Sequence, residues 1–235
     1  MLTHPVIVRW LTALLIVIGT SACAERSPYQ ATSPTRFNAA ISEFERRDES
    51  RTTDSDAILF VGSSSIRLWA PNIERDMAPL PVIARGFGGS NMNDVNFFFD
   101  RLITPHAPSA IVVYVGENDV VQGVSSAQLL QAFETFVGKV RGTLPDTNIY
   151  YLSIKPAPAR RNAWSKMQAA NTVIANYANS QGDIFFIDIA TPMLDSNGGA
   201  REDLHVTDGI HMNRQGYAIW TRVLKPVLLT NETSS

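Results

Sequence analysis

Apolar residues along this chain fall into two alternating patterns. Phe37, Ala40, Ile41 and Phe44 recur at helical spacing, which predicts a first helix running to about Glu49. Ala57-Ile58-Leu59-Phe60-Val61 is then apolar throughout and stops at Gly62, as a buried strand does. Pro81-Val82-Ile83-Ala84 before Gly86, and Ala110-Ile111-Val112-Val113-Tyr114-Val115 before Gly116, read the same way. So do 148–154, ended by Pro156, and 184–189. Helix-like stretches lie between them near 65–77, 92–104, 126–141 and 161–180, and a last one covers 213–229.

Strands with no polar face need cover on both sides, so the alternation predicts a parallel sheet with helices on each face. Right-handed crossovers make this a doubly wound α/β domain, with a five-stranded sheet in the flavodoxin-like order 2-1-3-4-5. Neither a repeat nor a change of composition divides it, and 35–230 reads as one domain.

The N-terminus follows another rule. His4 and Arg9 precede an apolar run over 10–18, followed by Gly19, Thr20, Ser21 and Ala22. A charged start, a short apolar centre and small residues describe a signal peptide over 1–22. The run is about half of the roughly 20 residues a membrane-spanning helix needs. Ser21-Ala22-Cys23 resembles a bacterial lipoprotein signal with Cys23 lipidated, although Thr20 stands where Leu is usual; Ala22-Cys23-Ala24 also fits an ordinary cleavage site. The chain is expected to be exported, either as a cell-envelope lipoprotein (outer membrane or periplasm) attached to a membrane through Cys23, or as a secreted protein. Residues 23–34 are polar with two prolines and read as a linker.

Composition changes this picture only by exclusion. Hydrophobic residues make up 45% and charged residues 18% of the 235, the balance of a globular protein and not of a disordered one. A formal charge of −2 offers no cationic footprint for nucleic acid. The single cysteine excludes an internal disulfide framework and a cysteine-based zinc cluster.

In an open parallel sheet, ligands bind beyond the carboxyl ends of the strands. Gly62-Ser63-Ser64-Ser65 follows the first strand, Gly86-Phe87-Gly88-Gly89-Ser90 the second, and Gly116-Glu117-Asn118-Asp119 the third; Asp208-Gly209-Ile210-His211 lies beyond the fifth. Hydroxyls, glycine amides, a carboxamide and an Asp/His pair thus share one rim, which are the parts of a serine hydrolase. Each part alone has a plainer role: a helix cap for Ser63 or Ser64, turns for the glycines and for Gly116–Asp119.

Together, and in this order, the four segments resemble the SGNH hydrolases, the GDSL-like esterase/lipase family, over residues 57–225. The resemblance implies Ser64 as nucleophile, the Ser64 and Gly89 N–H groups with the Asn118 side chain as oxyanion hole, and Asp208 and His211 as orienter and base. The first block departs from the family's Gly-Asp-Ser: Ser63 replaces Asp and Ser65 replaces Leu, so three adjacent serines compete for the role of nucleophile. The implied activity is hydrolysis of carboxylic esters, short-chain or acetyl, through an acyl-enzyme. The substrate would be a small-molecule, lipid or acylated-glycan ester, and the family needs neither cofactor nor metal.

Three other readings are open to this sequence. Glu202, Asp203, His205, Asp208 and His211 could hold a metal in a phosphoesterase, though that leaves the serine, glycine and asparagine segments without a role. The same serine could pass its acyl group to a sugar hydroxyl as an acyltransferase, or the protein could be a non-catalytic binding lipoprotein. Trp69, Phe87, Arg160, Arg161 and Trp164 are placed on or near the rim, as substrate contacts or as packing. His106 reads as a surface or satisfied loop histidine, His205 is given no role, and Gln215, Gly216, Tyr217 and Trp220 read as packing of the last helix.

Overall fold

The computed structural model describes residues 35–49 and 57–232. The expected signal peptide, Cys23 and the linker lie outside the described residues. Five strands, β1 (Ile58–Gly62), β2 (Val82–Gly86), β3 (Ala110–Tyr114), β4 (Asn148–Leu152) and β5 (Ile184–Ile187), form one sheet in the order β2-β1-β3-β4-β5. All four pairings are parallel. The doubly wound single α/β domain is therefore as the hydrophobic pattern predicts, and the strand order is the flavodoxin-like one expected for it.

Alternate strand residues point to opposite faces, and both faces are covered. Leu59, Val61, Ile111, Val113, Ile149 and Tyr151 pack toward helices α1 (Asn38–Asp48), α3 (Met92–Phe97), α6 (Ser126–Thr143) and α7 (Trp164–Asn179). Ile58, Phe60, Val112, Tyr114, Tyr150 and Leu152 pack toward α2 (Ser64–Met77) and α8 (Arg214–Glu232). No described helix is long and apolar enough to cross a membrane.

The helices differ from expectation where a local feature interrupts the period. The stretch 92–104 is not one helix: α3 stops at Phe97, α4 takes Phe99–Leu102, and a 3-10 turn holds Thr104–His106. Phe98, at φ −94° and ψ 12°, makes the first break, and Pro105, which has no N–H to donate, sits in the turn. The stretch 161–180 opens instead as a 3-10 turn over Pro158–Ala163, kinked at Arg160, before α7 begins. β4 and β5 end earlier than their apolar runs, because Ser153 Oγ accepts the Ile189 and Ala190 N–H groups, both at 3.0 Å, beyond the end of the ladder. Gly116–Asp119, which taken alone reads as a turn, opens a short helix, α5 (Glu117–Val121).

Two close approaches position the rim. A Cβ on Gly86, at the end of β2, would lie 2.1 Å from the Arg67 backbone nitrogen, so bare backbone is required for the first turn of α2 to rest there. Gly116 holds φ 109°, and a Cβ there would meet the Tyr151 hydroxyl and Ile154. Asp119 then ties two elements together, accepting the Gly116 N–H and the Met92 N–H of α3, each at 2.9 Å.

Candidate active site

Ser64 is the first residue of α2, immediately after β1, so its N–H is among the four that a helix start leaves without an intrahelical acceptor. Its Oγ lies 2.9 Å from His211 Nε2, across 147 residues of chain. His211 Nδ1 lies 2.6 Å from Asp208 Oδ2. The other Asp208 oxygen accepts the Ile210 and His211 backbone N–H groups at 2.8 and 2.9 Å, which fixes the carboxylate within the turn. Partial burial pushes the Asp208 carboxyl up, but the His211 and Ile210 N–H groups and the His211 ring outweigh it and hold the group far below the usual carboxylate range. The result is a continuous Asp–His–Ser hydrogen-bond chain with an ionised carboxylate at one end.

Of the three adjacent serines, Ser64 is the one that reaches the imidazole. Ser63 and Ser65 are buried. Ser63 occupies the N-cap position, yet its side chain makes no cap bond. Ser65 O accepts the Tyr217 hydroxyl at 2.9 Å, anchoring the turn behind Ser64 to α8.

Gly89 lies on the turn after β2 at φ 83°, and Asn118 on the first turn of α5. The Asn118 Nδ2 donates to Ser90 O at 2.9 Å, linking the second and third blocks. Arg67, Leu68, Asn72, Val206, Met212 and Tyr217 line a groove of about 410 Å³ beside Asp208 and His211.

Several residues expected at the rim stand elsewhere. Trp69 and Phe87 are fully buried: Trp69 stacks on Tyr217 with centroids 5.5 Å apart, and Phe87 meets Phe37 edge-on at 5.0 Å. Tyr217 and Trp220 are packing residues, as expected. Trp164 is half-buried and lines a groove with the exposed Arg161. Arg160 meets protein groups: Nη1 is 3.1 Å from Glu117 Oε1, and Nη2 donates to Asn118 Oδ1 at 3.3 Å. His106 is buried, with Nε2 3.4 Å from Asp48 Oδ2, and is not a surface residue.

The five acidic and histidine residues near the C-terminal loop do not converge on a common point. His205 is buried with Nδ1 and Nε2 at 2.8 and 3.2 Å from the Arg201 and Pro156 carbonyls. Asp203 pairs with Arg201. Among the described residues, no group of three His, Cys, Asp or Glu side chains is arranged to hold a metal ion.

Sequence reasoning missed one cluster. Lys155 is completely buried and touches Glu117, which also accepts the Tyr114 hydroxyl at 3.0 Å. A lysine following an apolar strand run was the available signal, because a charge at that place needs a partner.

The sequence pattern of the GDSL-like lipase/acylhydrolase family matches residues 52–219. The chain belongs to that family. It is an ester-hydrolysing enzyme. Solved structures share the fold. One is a protein of Streptococcus pneumonia, with TM-score 0.72 and 23% identity over 81% of this chain and 92% of that one. Another is a GDSL-like lipase of Bacteroides thetaiotaomicron, with TM-score 0.71 and 19% identity over 81% and 97%. A carbohydrate esterase family 3 protein of Talaromyces cellulolyticus follows at TM-score 0.61 and 15% identity over 77% and 99%. A search of curated proteins gives no match.

Proposed function

We propose that this esterase works through an acyl-enzyme on Ser64 and favours short-chain or acetyl esters. The observation that carries the mechanism is the unbroken contact from Asp208 through His211 to Ser64 Oγ. Ser64 attacks the ester carbonyl as His211 Nε2 takes its proton. Asp208 holds the imidazole in the tautomer with its proton on Nδ1. The Ser64 and Gly89 N–H groups and one Asn118 N–H stabilise the tetrahedral oxyanion. His211 returns the proton to the departing alcohol, then activates the water that releases the acid.

The short-chain preference is supported by the mixed character of the groove at His211, where the apolar Leu68, Val206 and Met212 stand among Arg67, Asn72 and Arg214 and offer no continuous apolar channel for a long chain. It is also supported by fold neighbours named as an acetyl esterase and as carbohydrate esterases.

Hydrolysis of p-nitrophenyl acetate, butyrate and octanoate tests both parts. Ser64→Ala and His211→Ala are each expected to lose at least about 10³-fold in kcat. Full activity in both variants would remove the mechanism. A kcat/KM that rises with chain length would remove the substrate preference and leave the mechanism standing.

A further inference from the structure

The Asn118 carboxamide is gripped at both ends. Its oxygen accepts from Arg160 Nη2 at 3.3 Å, and its nitrogen donates to Ser90 O at 2.9 Å. An amide side chain has one acceptor oxygen and two N–H donors. Turning it over would press NH₂ against a guanidinium and a carbonyl against a carbonyl. The two contacts therefore select one orientation and leave the second N–H for another acceptor.

Arg160 is itself seated on Glu117, with Nη1 3.1 Å from Oε1. That carboxylate is buried and held by further donors. Lys155 Nζ is 3.1 Å from Oε2 and 3.2 Å from Oε1, and the Tyr114 hydroxyl donates to Oε2 at 3.0 Å. Burial, then the Glu117 carboxylate, push the Tyr114 phenol well above its ordinary value, so the hydroxyl remains a donor. Burial lowers the Lys155 ammonium while contact with Glu117 opposes the shift. Lys155 Nζ also donates to Ile210 O at 2.6 Å, inside the turn that carries Asp208 and His211. One carboxylate thus connects the third block to the catalytic turn.

We propose that Arg160, seated on Glu117, is a positioning residue for ester hydrolysis: it holds the Asn118 carboxamide with an N–H presented to the developing oxyanion. The proposal rests on the reading of Asn118 as an oxyanion donor. A cationic donor on the amide oxygen also draws electron density from the nitrogen, which strengthens the remaining N–H as a donor. That benefit is realised where negative charge develops, in the transition state, and so belongs to kcat and not to KM.

A double-mutant cycle on p-nitrophenyl acetate tests this, using Arg160→Met, Asn118→Ala and the two combined. Asn118→Ala is expected to lower kcat by about 10²–10³-fold. Arg160→Met is expected to lower it by about 10–100-fold, with KM within about twofold. The combined variant should be no slower than Asn118→Ala within about threefold, since Arg160 acts through that amide. Lys155 still neutralises Glu117 in Arg160→Met, and the Arg160 side chain, 17% exposed, lies on a surface turn, so the fold should survive. If that variant aggregates, Arg160→Gln carries the same cycle.

Multiplying losses, or a raised KM at unchanged kcat, would overturn the proposal, because Arg160 would then act on substrate or on the fold at large. Wild-type turnover in Asn118→Ala would instead show that the oxyanion assignment of Asn118 has failed, and the proposal with it.

Discussion

Asp208 divides its two oxygens between two tasks. One accepts the backbone N–H groups of Ile210 and His211 and so shapes the turn; the other accepts from the His211 ring. Because these donors keep its carboxyl far below the ordinary range, Asp208 stays ionised through neutral and moderately acid pH, and its protonation does not set the acid limb of activity. Asp208→Asn keeps the size of the side chain but offers an N–H where an acceptor is needed, which favours the wrong tautomer. Its kcat is expected to fall by about 10²–10⁴-fold with little change in KM, read from steady-state kinetics. The segments of this relay were legible in the sequence, because each stands just beyond an apolar strand run or in a compact Asp-x-x-His turn, but only the resemblance to the SGNH hydrolases singled out Ser64 among three adjacent serines. Lys155 was not legible. Its meaning depends on Glu117, 38 residues earlier, and on the Ile210 carbonyl, 55 later. Arg160 reads from sequence only as a residue near the rim that could contact substrate, because nothing local in Pro158-Ala159-Arg160-Arg161 shows that one guanidinium turns inward.

The strands were the most readable elements, since short apolar runs alternating with helical stretches fit a buried parallel sheet. Helix boundaries were less so. The break at Phe98 carries no glycine or proline of its own, and tertiary packing of Phe98 and Phe99 in the core decides it. Between elements, the contact with a measurable cost is at Asp76, near the end of α2. It accepts Trp69 Nε1 at 2.8 Å, and Arg214, the first residue of α8, donates to both its oxygens at 2.9 Å. Asp76→Ala strands the indole N–H of a buried tryptophan and should cost about 1–3 kcal/mol in urea unfolding at neutral pH. Burial raises the Asp76 carboxyl, but the Trp69 and Arg214 contacts bring it below its ordinary value. A depressed carboxyl adds stability that is complete above the unfolded value of about 3.9 and is lost as pH falls through the folded one. The gap between wild type and Asp76→Ala should therefore hold at neutral pH and shrink below about pH 4. A gap that widened on acidification would contradict this.

Across the whole molecule, the sheet separates two cores with different relations to the chemistry. The face toward α2 and α8 carries Trp69, Tyr114, Tyr217 and Trp220 in mutual ring contact, and Tyr217 reaches Ser65 O beside the nucleophile proposed above. The opposite face carries Phe133, Phe136, Tyr151 and Tyr177. Trp220→Ala and Phe133→Ala each remove a completely buried ring and should each cost about 3–5 kcal/mol in chemical unfolding. Assayed well below their unfolding midpoints, Trp220→Ala is expected to lose more kcat than Phe133→Ala. Equal kinetic damage from both would show that the two faces are not separable in this way.

Gly86 lies on a different strand from the one that leads into Ser64, yet the bare backbone there is what α2 rests upon. Any effort to diversify this enzyme toward new esters can vary the groove walls at Leu68 and Val206, but position 86 has to be left alone. Even a methyl group there would lift the first helical turn and carry the attacking alcohol away from its imidazole. Such a variant is expected to lose both unfolding stability and esterase turnover.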